Sequence, residues 1–148
     1  MQDIKNVTIL GAGAMGAIYA SKFYDSNCFN TTVLAAGERC ERLRRDGWEI
    51  NGKAYYLPVI SPEEAVEPAD LILVGLKHHH LPEAVPYMKN LVDENTIILT
   101  VMNGLVSEEI IGATYGMDKL LYAISLGIDA VREGNQITYT KLGRIIFG

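Results

Sequence analysis

Residues 9–24 read ILGAGAMGAIYASKFY, and this stretch decides the fold. A short apolar strand is predicted at residues 7–10, and apolar residues recur at helical spacing after the three glycines. Glycine weakens a helix, so three glycines at a helix entry need a separate reason. The order of strand, G-x-G-x-x-G and helix is the fingerprint of a loop that binds the pyrophosphate of a dinucleotide.

Each glycine of this loop has its own predicted role. Gly11 permits the tight turn, Gly13 lets the backbone approach the pyrophosphate, and Gly16 lets the helix pack against the strand. Free amides and the positive end of the helix dipole then attract the phosphates. The alternative, a glycine-rich turn without a ligand, is disfavoured by the flanking strand and helix. The predicted cofactor loop comprises Gly11, Ala12, Gly13, Ala14, Met15 and Gly16.

Strand and helix signals alternate along the rest of the chain. Buried strands are predicted at residues 31–34, 70–76 and 96–102. Helices are predicted at residues 38–46, 81–91 and 107–115. Pro86 interrupts the second of these helices. The alternation predicts an α/β fold of the Rossmann type, a doubly wound and mostly parallel sheet with helices on both faces.

Smaller strands are predicted outside this alternation. Asn51 and Gly52 lie between two apolar runs and predict a hairpin over residues 48–57. Further strand-like segments are predicted at residues 120–128, 136–140 and 145–147. The whole chain, residues 1–148, is expected to be one dinucleotide-binding domain.

Composition excludes several classes of protein. The chain has 148 residues and a formal net charge of -5, and acids are interleaved with its arginines, so no nucleic-acid partner is expected. No segment approaches the ~20 apolar residues of a membrane span, and no signal peptide is recognisable. Cys28 and Cys40 lack the spacing of a metal site and are expected to be free thiols. These features indicate a cytoplasmic protein.

The end of the second strand bears on the choice of dinucleotide. An NAD-binding domain usually carries an acid there to hold the ribose 2′-OH, but this chain has only Ala35 and Ala36 before Gly37. Arg39 and Arg42 follow closely and could meet a 2′-phosphate. The sequence therefore favours NADP (NADPH), although either arginine could instead belong to a solvated helix face.

Polar residues also follow two later strands. Lys77 and Asn103 come directly after buried strands, and ligands of parallel sheets bind at these carboxyl ends. Asn103 with Gly104 could equally form a plain turn. The histidines at residues 78–80 have no sequence-paired carboxylate or cysteine, so no metal site is predicted. They are expected to form a polar helix entry beside the crevice.

The chain resembles the N-terminal domain of the ketopantoate reductase (2-dehydropantoate 2-reductase) family. The resemblance rests on ILGAGAMGAIYA, VLAAGERCERLRRDG, ADLILVGLK, MNGLVSEE and REGNQITYTKLGRIIFG. It implies NADPH-dependent reduction of a small 2-oxo acid, 2-dehydropantoate, to pantoate. It further implies that Lys77 and Asn103 contact the cofactor, that Asn103 also touches the substrate, and that Ala130 contacts the cofactor through its backbone.

Two departures from the family pattern matter. The family commonly has an arginine for the 2′-phosphate where this chain has Ala36, so Arg39 is expected to substitute. Family members are about twice as long as this chain, in line with two domains of ordinary size. Their general-acid lysine lies in a helical C-terminal domain, so no catalytic residue is expected before Gly148. The expected protein partners are that C-terminal domain and a second copy in a homodimer.

Two other functions share the glycine loop. One is a non-catalytic nucleotide sensor, such as the regulatory domains of potassium transporters, which usually carries an acid after the second strand. The other is the cofactor domain of a different dehydrogenase family, for example the glycerol-phosphate or hydroxyacid dehydrogenases. The combination of Lys77 with Asn103 favours the 2-oxo-acid reductase.

Overall fold

The computed structural model describes residues 3–11, 13–102 and 106–148. Its strands are β1 Asn6–Leu10, β2 Asn30–Leu34, β3 Trp48–Ile50, β4 Lys53–Tyr55, β5 Val59–Ile60, β6 Leu71–Val74, β7 Ile97–Thr100, β8 Leu120–Leu121, β9 Ala123–Leu126, β10 Val131–Glu133, β11 Gln136–Thr138 and β12 Arg144–Phe147. Its α-helices are α1 Ala14–Asp25, α2 Gly37–Asp46, α3 Leu81–Ala84 and α4 Val106–Tyr115.

Six parallel strands form the central sheet in the order β5-β2-β1-β6-β7-β8. The chain builds outward from β1 to β2 and β5, then crosses back to β6 and builds outward in the opposite direction. The strand order therefore reverses between β1 and β6, which places a crevice at the carboxyl ends of these two strands. The predicted doubly wound α/β fold is confirmed.

Alternate residues of the central strands face two separate cores. Ile9 and Leu73 belong to a cluster that also contains the buried faces of α1 and α2. Their neighbours Leu10 and Val74 belong to a second cluster, which is covered by the segment from α3 onward and by α4. Strand side chains alternate between faces, so a strand that is covered on both sides reads as a continuous apolar run. Helices on both faces of the sheet are thus confirmed.

The predicted helix at residues 81–91 is not continuous. A 3₁₀ turn at His78–His80 leads into α3, and a second 3₁₀ turn at Val85–Met88 follows. Pro86 is the physical reason, because it has no N–H to donate and its ring clashes with the carbonyl four residues earlier. The apolar stripe is buried nevertheless, since Leu81 and Met88 are fully inaccessible.

A second sheet has the order β10-β11-β3-β4. The hairpin between β3 and β4 is confirmed, and both turn residues have positive φ, 49° at Asn51 and 81° at Gly52. The predicted strand at residues 120–128 is divided: β8 joins the central sheet, and β9 pairs with β12 in a separate two-stranded sheet. The predicted last strand is confirmed as β12.

Candidate cofactor-binding site

Gly11 directly follows β1 and lies against the end of the neighbouring strand β6. Its φ is 105°, a conformation that side chains rarely adopt, and a Cβ atom there would lie 2.5 Å from the carbonyl oxygen of Gly75, directly after β6. Gly75 in turn donates its amide to the carbonyl oxygen of Leu10, at 2.9 Å. The tight turn that the sequence predicted at Gly11 therefore excludes any other residue.

Gly16 brings α1 against this turn. A Cβ atom at Gly16 would lie 1.8 Å from the carbonyl oxygen of Gly11 and 3.4 Å from Cγ2 of Ile9. No side chain can be accommodated so close to backbone, and the helix consequently starts directly above β1. This is the close packing of helix on strand that was predicted for the third glycine.

Gly13 has open space on the side where a Cβ atom would lie. Among the described residues, no heavy atom comes within 4 Å of that position, and Gly13 precedes α1 as its N-terminal capping residue. No side chain from the described part of the chain caps this helix, and its first turn contains no acid. The first amides of the helix therefore remain available to an anion, and the helix dipole adds a positive field at the same place.

A crevice of about 340 Å³ runs beside this loop. Its walls comprise Gly11, Gly13, Ala14, Met15, Arg39, Gly75, Leu76, Lys77, His80, Val101, Met102 and Arg132. A smaller cavity of about 180 Å³ continues between the ends of β1 and β2, where Leu34, Ala35 and Ala36 line it. Gly11, Arg39, Leu76 and His80 line both spaces. The two spaces therefore adjoin one another beside the glycine loop, and together they are called the cleft.

Lys77 and His80 come from the loop and turn that follow β6. Lys77 is exposed and precedes the 3₁₀ turn, and its carbonyl oxygen accepts the amide of His80 at 2.9 Å. Desolvation lowers the pKa of His80, and the nearby charges of His79, Arg39 and Lys77 lower it further. The histidine is therefore neutral at pH 7, while the lysine supplies positive charge to the cleft.

Arg132 was not predicted, although it lines the same cleft as the glycine loop. It lies on β10 in the second sheet, and its Nε donates a hydrogen bond to the carbonyl oxygen of Gly134 at 2.8 Å. Desolvation lowers the pKa of Arg132, and the charges of Arg39 and Arg42 act in the same direction. The REGN segment was noted in the sequence, but nothing local indicated that β10 would reach the cleft.

A family profile described as "Ketopantoate reductase PanE/ApbA" matches residues 7–148. The chain belongs to this family. The 2-dehydropantoate 2-reductase of Streptococcus pyogenes serotype M3 is 29% identical over 110 residues, which are 71% of this chain and 35% of that protein. The ketopantoate reductase family is one of oxidoreductases that bind a nicotinamide dinucleotide.

Solved structures agree with this assignment. The 2-dehydropantoate 2-reductase of Geobacter metallireducens GS-15 superposes with a TM-score of 0.82 at 27% identity, over 97% of this chain and 48% of that one. A D-mandelate dehydrogenase solved with NADH and anilino(oxo)acetate has the same fold, with a TM-score of 0.81 at 23% identity over 96% and 47% of the two chains. The chain thus spans about a third of its curated relative and half of the solved ketopantoate reductase.

The remaining predicted residues have different positions. Ala130 is partly buried against the core cluster that contains the buried face of α1. It is not among the residues that line the cleft. Ala12 and Asn103 lie outside the described residues, so their predicted roles stay predictions. Met102, the last described residue before Asn103, does line the cleft.

A buried polar cluster stands beside the segment that carries Asn103. Thr100, at the end of β7, donates a hydrogen bond from Oγ1 to Oε1 of Glu108 at 2.5 Å, and Ser107 donates from Oγ to Oε2 at 3.0 Å. None of the three side chains is more than 1% exposed. The cluster ties the end of β7 to the first turn of α4, and the sequence gave no signal for it.

Within the described part of the chain, no cluster of three or more histidine, cysteine or acidic side chains is arranged to hold a metal ion. None of its helices has the length and apolar character that crossing a membrane demands.

Proposed function

We propose that this chain is the cofactor-binding half of an NADPH-dependent 2-oxo-acid reductase, with 2-dehydropantoate as the substrate and pantoate as the product. The observation that carries the proposal is the open space at Gly13 beside an uncapped α1, in a cleft that Lys77 also lines. Membership of the ketopantoate reductase family supports the substrate. We assign the whole reaction to a longer protein of the length that the relatives have, and not to this chain alone.

The residues of this chain would bind and orient the cofactor. The loop from Gly11 to Gly16 and the first amides of α1 would hold the pyrophosphate. Arg39 would meet the 2′-phosphate, since it lines the cavity at the end of β2, where the ribose of a dinucleotide sits. Lys77, Asn103 and the backbone of Ala130 would contact the cofactor, as the family resemblance implies, and Asn103 would also contact the substrate.

Reduction of the ketone adds a hydride to the carbonyl carbon and a proton to its oxygen. When bound, NADPH supplies the hydride. Lys77 carries a positive charge in the cleft, where charge on a developing alkoxide is stabilised electrostatically. We assign the proton donor to a helical C-terminal domain beyond Gly148, which would be joined to this domain in a protein that forms a homodimer.

Cofactor binding is testable with the 148-residue chain itself. Calorimetric titration with NADPH should show binding, and Gly13→Val should abolish most of it, because the branched side chain would occupy the space of the pyrophosphate. Thermal unfolding provides the control: none of the described residues has an atom within 4 Å of the position, so the variant should remain folded. Equal affinity of the parent and a folded variant would contradict the site.

Turnover distinguishes a reductase from a nucleotide sensor. NADPH oxidation with 2-dehydropantoate should be at background for the 148-residue chain and enzymatic for the full-length protein. General acid catalysis typically contributes about 10²–10⁴-fold, and positioning between two domains adds to it. Binding without turnover in the full-length protein would match a sensor. Comparable turnover by the chain alone would show that the proton donor already lies here, with Lys77 as the first candidate.

A further inference from the structure

Four arginines on α2 fall into two groups. Arg44 pairs with Glu64 and donates to the carbonyl oxygen of Val59, and Arg45 pairs with Asp46. Among the described residues, neither Arg39 nor Arg42 has an ion pair or a side-chain hydrogen bond. Two of the four charges are thus neutralised within the protein, and two are not.

Arg39 and Arg42, the two arginines of α2 without an ion pair, lie near a third arginine, Arg132, which comes from the second sheet. Arg39 and Arg132 line the same cleft beside the glycine loop. Arg132 also lines a second groove, and Arg42 lines that groove with it. Like charges brought together in a partly desolvated place destabilise one another, and an anion that enters between them removes this repulsion.

Arg132 is exposed, and one of its N–H groups has a partner within the protein. Its Nε is bonded to the carbonyl oxygen of Gly134, which leaves the remaining guanidinium N–H groups for another acceptor. The turn that contains Gly134 is anchored to the strand after α2, because the amide of Glu49 donates to the carbonyl oxygen of Asn135 at 2.9 Å. The arginine fork is therefore positioned before any ligand binds.

Two acids lie near these arginines, but among the described residues neither forms an ion pair with Arg39, Arg42 or Arg132. Glu83 lines the smaller cavity with Arg39 and accepts a hydrogen bond from the hydroxyl of Tyr87 at 3.3 Å. Asp46 lines the groove with Arg42 and Arg132 and is paired with Arg45. Ala36, shortly after β2, contributes no charge to the smaller cavity, although the family commonly has an arginine there.

We propose that Arg132 is a specificity-determining residue, which acts with Arg39 in the same cleft to bind the 2′-phosphate of NADP in place of the arginine that the family commonly has where this chain has Ala36. The inference rests on the proposed function. A dianion suits two guanidinium groups, and the planar fork of arginine matches the geometry of phosphate oxygens. The pyrophosphate already has the amides of α1, so the arginine pair is assigned to the additional phosphate.

The test compares ligands with and without the 2′-phosphate. Calorimetry at one fixed salt concentration measures NADPH against NADH, and adenosine 2′,5′-bisphosphate against 5′-AMP, for the parent and for Arg132→Gln. The variant should bind NADPH and the bisphosphate about ten- to a hundredfold more weakly, as expected for a lost charge-assisted contact. Its affinity for NADH and 5′-AMP should stay within about twofold. Arg132→Lys, which keeps the charge but loses the fork, should be intermediate.

Arg45→Gln is the matched control. It removes the same charge from the same surface, but its guanidinium is paired with Asp46, so it should leave the preference for NADPH unchanged. A parent that prefers NADPH and an Arg132→Gln variant that keeps this preference would overturn the inference and leave the proposed function standing. Equal weakening of NADPH and NADH would also overturn it. A parent that binds no dinucleotide, or prefers NADH, would overturn the proposed use of NADPH and this inference with it.

Discussion

The two ends of the parallel sheet use their polar groups in opposite ways. At the amino ends of the strands, Asp70 accepts the backbone amides of Lys5 and Asn6 at 2.9 and 2.8 Å. Nearby, Thr96 donates from Oγ1 to the carbonyl oxygen of Ala69 at 2.8 Å. These groups are satisfied by the protein itself and fasten neighbouring strands together.

At the carboxyl ends, charged groups line the cleft without such partners. Among the described residues, Arg39 and Lys77 have no ion pair, and no side chain caps the first amides of α1. These groups are open to water, so a ligand can bind them without displacing a partner within the protein. The comparison predicts that changes at the first end reduce stability, whereas changes at the second reduce binding.

The sharpest test uses the same substitution at two glycines of one loop. Gly16→Ala should lower the free energy of unfolding by about 3 kcal/mol, because its Cβ atom would overlap the carbonyl oxygen of Gly11. Gly13→Ala should cost less than about 1 kcal/mol and weaken NADPH binding instead. Urea denaturation and calorimetry measure the two quantities. Similar losses of stability in both variants would mean that Gly13 also has a packing role.

A second test places one change at each end of the sheet. Thr96→Val should lower the free energy of unfolding by about 2 kcal/mol, since it leaves the buried carbonyl oxygen of Ala69 and the amide of Asp93 without this partner. Lys77→Met should change the free energy of unfolding by no more than about 0.5 kcal/mol, while it weakens the binding of NADPH. If Lys77→Met destabilised the fold as much as Thr96→Val, the contrast between the two ends would fail.

The smallest effect concerns pH at the cleft. The lowered pKa of His80 keeps it neutral until the pH falls below the ordinary histidine value of 6.5, and protonation then adds positive charge near the phosphates. The affinity for NAD⁺, whose pyrophosphate does not titrate in this range, should therefore rise about two- to fivefold between pH 7.5 and pH 5.5. His80→Gln should remove this rise. A rise of equal size in the variant would assign the titration to another group.

The same depression of the pKa has a consequence for stability. The unfolded chain binds a proton at His80 more readily than the folded protein does, so the contribution of the neutral histidine is present above pH 6.5 and is lost as the pH falls. A bound dinucleotide opposes this loss, because its phosphates favour the protonated form. Thermal unfolding with and without NAD⁺ at pH 5.5 measures the difference.

Much of the central sheet could be predicted from local sequence. Each buried strand is a short apolar run, and the hairpin at Asn51 and Gly52 follows from the positive φ that both turn residues adopt. The roles of Gly11 and Gly16 followed from the fingerprint, because the tight turn and the close helix are consequences of missing side chains. Periodicity carried less information at residues 81–91, where Pro86 replaces a regular helix by two 3₁₀ turns and one short α-helix.

The part of the cleft that could not be predicted depends on pairing between distant segments. Arg132 reaches the glycine loop only because β11, which follows it, pairs in parallel with β3. Such a register is set by packing between residues far apart in sequence, and no local period reports it. The division of residues 120–128 between two sheets has the same origin, because β9 finds its partner in β12 rather than beside β8.

The parallel pairing of β11 with β3 also imposes an order of assembly. During synthesis, β3 can pair with its hairpin partner β4 as soon as both strands have been made. Its other edge can pair only after Gln136 and Ile137 of β11 have been made. Closing so long a loop carries an entropic cost and slows folding. A nascent chain can thus complete the glycine turn long before the wall that carries Arg132. If Arg132 has the proposed role, such a chain would bind a dinucleotide before it could distinguish NADPH from NADH.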